Sequence, residues 1–238
     1  MLAYLTLWQQ LNAMPKYDVE AFDLLSALTE SMPLAVLDKY LPQMLSVIFA
    51  RLSHQKGKTP RYVKGFVTWL LQFSAKHGGS AIIARCKTVQ ATIWVNCVNL
   101  ICTSIRLPRS HVDKKICALG TIKLLTSTEE MLVEPHLSLW NPLLLALMGL
   151  FELPDEEENG EMDDGQEISG GAVFAPLFHA GMLSEKDRFP GVMPQAELAK
   201  GLAALNQKMQ GKVASLINLP PEALQKLQSY FQAANVRL

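Results

Sequence analysis

Three observations predict an all-α fold built as a stack of helix pairs. Apolar residues recur at helical spacing almost from end to end, and nothing alternates convincingly as sheet. Proline and glycine fall where helices of ordinary length would start or stop. Comparable helices begin near Tyr17, Arg61 and Val112, intervals of 44 and 51 residues. Each is followed by a second apolar helix, near Leu41, from Ile82 to Ile105, and near Leu137. Helix pairs repeating at about 40 to 47 residues mark a HEAT or armadillo solenoid, in which each pair buries its apolar face only by stacking on the next. The prediction is a HEAT-type α-solenoid over residues 1–238, one unit, with an acidic loop insertion at about 155–171 and terminal capping helices at about 194–236.

Taken in order, Leu2, Leu5, Trp8 and Leu11 open the chain in an apolar helix with no polar cap before it. They are expected to form an exposed apolar edge, which reads as the start of the C-terminal piece of a longer solenoid. Leu37, Tyr40, Leu41, Met44 and Ile48 form a stripe, with Lys39, Gln43, Ser46 and Ala50 opposite. Pro42 interrupts that stripe, so the long helix is expected to begin there, behind a separate short turn. Thr59-Pro60 is a cap followed by proline at the first helical position. The helix it starts carries Val63, Phe66, Val67, Leu70, Leu71 and Ser74 on one face and Lys64, Thr68 and Gln72 on the other. Gly78-Gly79 ends it, because glycine takes the left-handed conformation that a helix C-cap needs.

Ile93 to Ile105 is rich in β-branched residues, but it is too long for one strand and contains no turn, so it reads as a buried helix. After the acidic segment the helical pattern resumes with Leu198, Leu202, Leu205 and Met209 on one face. Pro220-Pro221-Glu222 starts a last helix with Leu224, Leu227, Phe231 and Ala234 inward and Gln225, Gln228, Ser229 and Gln232 outward. A polar outer face is what a terminal repeat needs for solubility.

Composition narrows the function classes. The 238 residues are 49% hydrophobic and carry a formal charge of zero, distributed unevenly. Eight acidic residues and no basic ones lie between Asp155 and Glu167, which leaves 14 acidic residues against 22 basic ones, a balance of +8, in the rest. A body this mildly basic argues against nucleic acid as a partner. The longest apolar run, Leu143 to Leu150, is about half the ~20 residues needed to cross a bilayer, so no membrane insertion is expected. The N-terminus lacks the charged region of a signal peptide, which together with free thiols points to a soluble, intracellular protein.

No catalytic, metal or cofactor site emerges. Cys86, Cys97, Cys102 and Cys117 sit in apolar helical patterns without the paired spacing that zinc requires, and read as buried thiols. His54, His77, His111, His136 and His179 are scattered, most of them at helix ends. Ser110, His111 and Asp113 contain triad letters, but neighbours in sequence cannot supply triad geometry. Gly78-Gly79 and Gly170-Gly171 lack the context of phosphate-binding loops. The acidic segment reads first as a solvated insertion. Its alternative reading is steering of a basic partner, or occupation of the array's own basic inner face, by Asp155, Glu156, Glu157 and Glu158. Lys64, Lys114 and Lys115 are the mirror case: basic side chains near helix starts, expected to face solvent and to meet a partner on the rim of the solenoid.

Five segments, in order along the chain, resemble a known family: LPQMLSVIFARLSHQKGKTPRYVKGFVTWLLQFSAKHG, VDKKICALGTIKLLTSTEEM, LWNPLLLALMGLFELPDEEE, FAPLFHAGMLSEKD and EALQKLQSYFQAANVRL. Together they are similar to the C-terminal end of the CAS-type exportins, the importin-α re-exporters of the importin-β superfamily. The stretch GGSAIIARCKTVQATIWVNCVNLICTSIRLPRSHVDK follows the family pattern only loosely. The resemblance implies a non-catalytic HEAT solenoid that binds importin-α together with Ran in its GTP form. It also implies shuttling through the nuclear pore between nucleus and cytoplasm, with release on GTP hydrolysis. No individual binding residue is carried over from it. The competing expectation is a HEAT or armadillo scaffold segment from another assembly, such as a vesicle coat.

Overall fold

A computed structural model describes residues 2–54, 57–108, 110–154 and 189–237; the acidic segment lies outside these. The described residues form helices and connections, with no strand among them. The helices are α1 (Leu2–Asn12), α2 (Asp18–Ser31), α3 (Leu34–Leu37), α4 (Leu41–Ser53), α5 (Pro60–His77), α6 (Gly79–Val89), α7 (Ile93–Ser104), α8 (His111–Ser127), α9 (Trp140–Phe151), α10 (Pro194–Lys208), α11 (Lys212–Leu216) and α12 (Pro221–Ala233). Short 3-10 turns at Pro15–Tyr17, Glu129–Leu132 and Leu137–Leu139 join some of them.

Two layers result. In the first, α2 packs on α5, α5 on α8 and α8 on α10. In the second, α4 packs on α6 and α7 packs on α9, while Phe151 of α9 meets Tyr230 of α12 edge to face at 5.8 Å. This is the stacked-pair architecture expected from the repeat spacing. The second unit departs from a simple pair. Residues 82–105, expected as one apolar helix, form α6 and α7 with a break at Gln90–Thr92.

Local signals act where the sequence places them. The Thr59 side chain accepts a hydrogen bond from the Tyr62 amide and Pro60 stands at the first position of α5. Ser110 caps α8 in the same way, accepting from the Asp113 amide at 3.2 Å. α4 begins at Leu41 with Pro42 in its first turn, behind the separate turn α3. Gly78 ends α5 as expected, but with φ +89° and ψ 153° it lies outside the left-handed helical region, in an extended positive-φ conformation open to glycine. Gly79 has a different task, because a Cβ there would lie 2.1 Å from Thr128 Oγ1 and 2.7 Å from Leu124 Cδ2. It lets α6 start directly against the end of α8.

The core runs continuously through both layers. All four tryptophans are fully buried, and three of them spend their indole N–H across a helix joint, while Trp8 Nε1 has no hydrogen-bond partner among the described residues. Trp69 donates to Thr29 Oγ1 at 3.0 Å, Trp140 to the Leu125 carbonyl at 3.0 Å, and Trp94 to Met131 Sδ at 3.3 Å. The expected face of α5 is buried in full, from Val63 to Ser74. Gln72, expected on its solvated side, is buried too, and donates to Glu30 Oε1 at 2.9 Å. The reason is position: α5 is flanked by α2 and α8 and has little outer face.

The first helix also departs from expectation. Leu5 and Trp8 are buried and Leu11 packs against the core, so this stripe faces inward and is no exposed edge. The exposed apolar side chains of this end are Tyr4, Leu7, Met14 and Val19. At the other end the polar face of α12 is as expected, with Leu227 and Phe231 buried and Gln225, Gln228, Ser229 and Gln232 exposed.

The tightest joint lies between α5 and α8. A Cβ on Gly120 would stand 2.1 Å from the Leu71 carbonyl oxygen, and that obstacle is backbone. Gly120→Ala is therefore expected to destabilise by about 1–3 kcal/mol or more, since two helices must separate. At Gly65 the obstacle is the Phe22 ring, 2.3 Å away, which can turn, so Gly65→Ala should cost less. Phe66→Ala should cost about 3–5 kcal/mol as a core truncation. Denaturant midpoints of the three variants check the order, and an unchanged Phe66→Ala midpoint would show the stacking register to be wrong.

Candidate functional site

Charged and polar residues at the joints between units are the candidate site, and they divide into a buried group and an exposed one. The buried group lies between α1, α2, α4 and α5. Arg51 Nη2 meets Asp18 Oδ1 at 2.6 Å, and Thr59 donates to the other Asp18 oxygen at 2.9 Å. Arg51 also donates to the Asn12 carbonyl and lies 3.9 Å over the Tyr62 ring. Tyr62 in turn donates to Asn12 Oδ1 at 2.7 Å. Every group thus has a partner, the condition under which buried charge is tolerable. Burial pushes the Tyr62 hydroxyl well above its ordinary 10.0, so it stays a donor at any physiological pH.

The exposed group pins successive helices to one another. Arg85 on α6 binds Asp38 with two bonds of 2.6 Å, and this arginine holds the carboxyl below its ordinary 3.8. Lys76 on α5 lies 3.8 Å from Glu30 on α2, and Lys208 on α10 lies 2.5 Å from Glu129. Lys226 on α12 binds Glu152 beside α9, which holds that carboxyl below its ordinary range. Asn141 completes the last joint, donating to the Leu216 carbonyl at 2.8 Å and accepting from the Asn218 amide at 2.9 Å.

The three lysines expected to meet a partner are placed differently from one another. Lys64 lies 3.7 Å from Asp113 and keeps 40% of its side chain exposed. Lys114 and Lys115 are buried, at 9% and 8% exposure, against the expectation that they face solvent. Lys114, in the first turn of α8, reaches the chain that leaves α9. The Lys114 Nζ donates to the Pro154 carbonyl at 2.6 Å. Lys114 therefore anchors the chain immediately before the acidic segment. Asp155, Glu156, Glu157 and Glu158 lie outside the described residues.

No group of three or more metal-ligating side chains converges among the described residues, and no described helix is long and apolar enough to cross a membrane. The thiols are poor nucleophiles: burial pushes Cys102 up to about 11 and Cys117 up to about 12. His136 is buried with Nδ1 2.9 Å from the Glu130 carbonyl. His77 stacks near Phe73 at 4.8 Å, with Nε2 buried and unpartnered among the described residues.

These features fit a helical-repeat binding protein. The profile of the CAS/CSE protein C-terminus matches residues 1–230, and the chain belongs to this family. It is 34% identical to human Exportin-2 over 247 residues, which is 98% of this chain and 25% of that protein. Exportin-2 of Xenopus laevis is 35% identical over 245 residues, and that of Danio rerio 34% over 243, with the same coverage. The chain thus spans about a quarter of the length of these relatives. A solved structure of the exportin Cse1 in its cargo-free, cytoplasmic state superposes with a TM-score of 0.69 at 19% identity. It covers 96% of this chain and 23% of the other, and shares the fold: a HEAT-type helical solenoid.

Two outcomes follow for the joints. Asp18→Ala should cost about 3–5 kcal/mol, because it strands a largely buried arginine, whereas Glu152→Ala on an exposed, solvent-screened pair should cost far less. Equal losses in urea titrations would contradict the division into buried and exposed joints. His77 is held below its usual 6.5, first by burial and then by the Lys76 charge. Its neutral form is the folded one, so its contribution is complete above pH 6.5 and is lost as pH falls below that value. His77→Leu should flatten the stability–pH curve in this window and leave the more acidic loss from Asp38 in place.

Proposed function

We propose that this chain is a non-catalytic segment of a nuclear transport receptor that helps carry importin-α, together with Ran in its GTP form, from nucleus to cytoplasm. One observation carries the reading: similarity to Exportin-2 extends over 98% of the chain. A stack of helix pairs with ion-paired joints suits such a receptor. It offers extended surfaces and can bend between units, so that one partner's binding changes the affinity for another.

Within this reading Lys64 is the expected basic contact, because its side chain is partly exposed. Lys114 and Lys115 act indirectly, by fixing where the acidic segment leaves the body. Asp155, Glu156, Glu157 and Glu158 steer a basic partner by long-range attraction.

A pull-down from nuclear extract with the 238-residue chain, with and without GTP-locked Ran, tests the proposal. Importin-α should be retained weakly, with little dependence on Ran, because coupling between two partners requires both sites on one solenoid. Retention of vesicle-coat subunits, with importin-α absent at any concentration, would overturn it. Neutralising Asp155, Glu156, Glu157 and Glu158 together should slow association mainly at low salt and leave dissociation nearly unchanged.

A further inference from the structure

One stretch of the chain is far more basic than the body as a whole. From Lys39 to Val112 there are eleven Lys and Arg residues and no Asp or Glu. Four carboxylates from outside the stretch answer part of this charge: Asp18 with Arg51, Glu30 with Lys76, Asp38 with Arg85, and Asp113 with Lys64. Helices α4 to α7 all lie inside the stretch, so none of them carries a carboxylate of its own, which favours a ligand of negative charge between them.

A groove lies there. α4 packs on α6, α7 packs on α5, α6 and α9, and the space between α4 and α7 is left open as a cavity of about 440 Å³. Its floor is apolar, built from Phe49 of α4, Phe66 of α5 and Leu100 of α7. Its rim carries Lys58, from the connection between α4 and α5, and Asn96 and Asn99 of α7. No lining residue is acidic.

The two asparagines are the telling part. Asn is a poor helix former, and it is normally kept for caps and turns. Asn96 and Asn99 stand inside α7, one turn apart, exposed, and neither side chain has a hydrogen-bond partner among the described residues. Each amide offers a donor and an acceptor side by side. That pair matches the free N–H and C=O of an extended main chain. A helix has satisfied its own backbone groups and would leave the asparagines idle.

We propose that the groove between α4 and α7 is a docking site for an extended, acidic peptide segment of a partner protein. Asn96 and Asn99 hold its main chain, a bulky apolar side chain enters between Phe49, Phe66 and Leu100, and an aspartate or glutamate beside it meets Lys58. Volume fits this scale, since cavities of 300–1,000 Å³ hold a few residues' worth of side chains. The site lies apart from the ion-paired joints described above. Its assignment does not depend on the transport reading.

The probe is a fluorescein-labelled, end-blocked pentapeptide with a central phenylalanine flanked on each side by two aspartates, titrated into the 238-residue chain. Anisotropy should give a dissociation constant on the order of 10–100 μM, weakening with salt. Lys58→Glu should weaken binding about tenfold, and a peptide with lysines in place of the aspartates should then bind this variant better than the parent. The double substitution Asn96→Ala and Asn99→Ala should weaken both peptides alike. All three positions are exposed, so circular dichroism should report unchanged folding. Three results overturn the proposal: no binding below millimolar peptide, equal binding by the parent and Lys58→Glu, or a concentration-dependent dimer that Lys58→Glu abolishes, which would make a second copy the occupant.

Discussion

The contact on which the rest of the structure depends is the backbone-to-backbone approach of α5 and α8. Gly120 admits the Leu71 carbonyl to a distance that no side chain would allow, and Ser74 Oγ donates to the Gly120 carbonyl at 3.2 Å beside it. The two longest helices are thereby brought close enough for their apolar faces to interdigitate along their length. α2 then has α5 to lie on, α10 has α8, and each second-layer helix inherits its position from the first. Smaller concessions repeat the device on either side, at Gly65 against Phe22 and Gly201 against Thr126. A stack of pairs has no long-range contact to correct an error, so the spacing of its first layer must be fixed at each joint.

Polar chemistry at the joints has a different task. Apolar faces stack in several registers at similar energy, whereas Arg51 on Asp18, Arg85 on Asp38 and Asn141 on Leu216 and Asn218 fit one register each. The energetic weight is unequal. Asp18 is 2% exposed, so loss of its partner strands a buried charge; Lys208–Glu129 and Lys226–Glu152 are exposed and screened by solvent, and contribute little.

Most of the fold was legible because a solenoid is written locally. Thr59-Pro60, Pro42 and the inward residues of α12 act where they stand in the sequence, and repeat spacing supplies the stacking order without any long-range inference. The errors share one cause: which face of a helix is covered depends on its neighbours. Gln72 reads as solvated until α2 is placed against it, and Leu5 and Trp8 read as an open edge until α2 receives them. Lys114 and Lys115 read as surface charges, since nothing local says that they are covered or that the chain leaving α9 passes Lys114 at Pro154. The groove was missed for a further reason. Averaged over the chain, the charge is small, and the averaging hides the carboxylate-free run from Lys39 to Val112.

Stiffness is therefore distributed unevenly along the array. Bending between α5 and α8 would drive the Leu71 carbonyl into Gly120 or open a joint lined by fully buried Phe66, Leu70 and Cys117. Bending between α9 and α12 exchanges an exposed ion pair for water, slides an edge-to-face aromatic contact and strains the hydrogen bonds of Asn141 to Leu216 and Asn218. The middle of the segment is built to move as one body, and the cheap joint lies toward its end. Because the groove between α4 and α7 belongs to the stiff part, with α5 forming its floor, its shape is independent of such bending. A flexible joint and a rigid groove can thus coexist in one segment, the first available for coupling and the second for recognition.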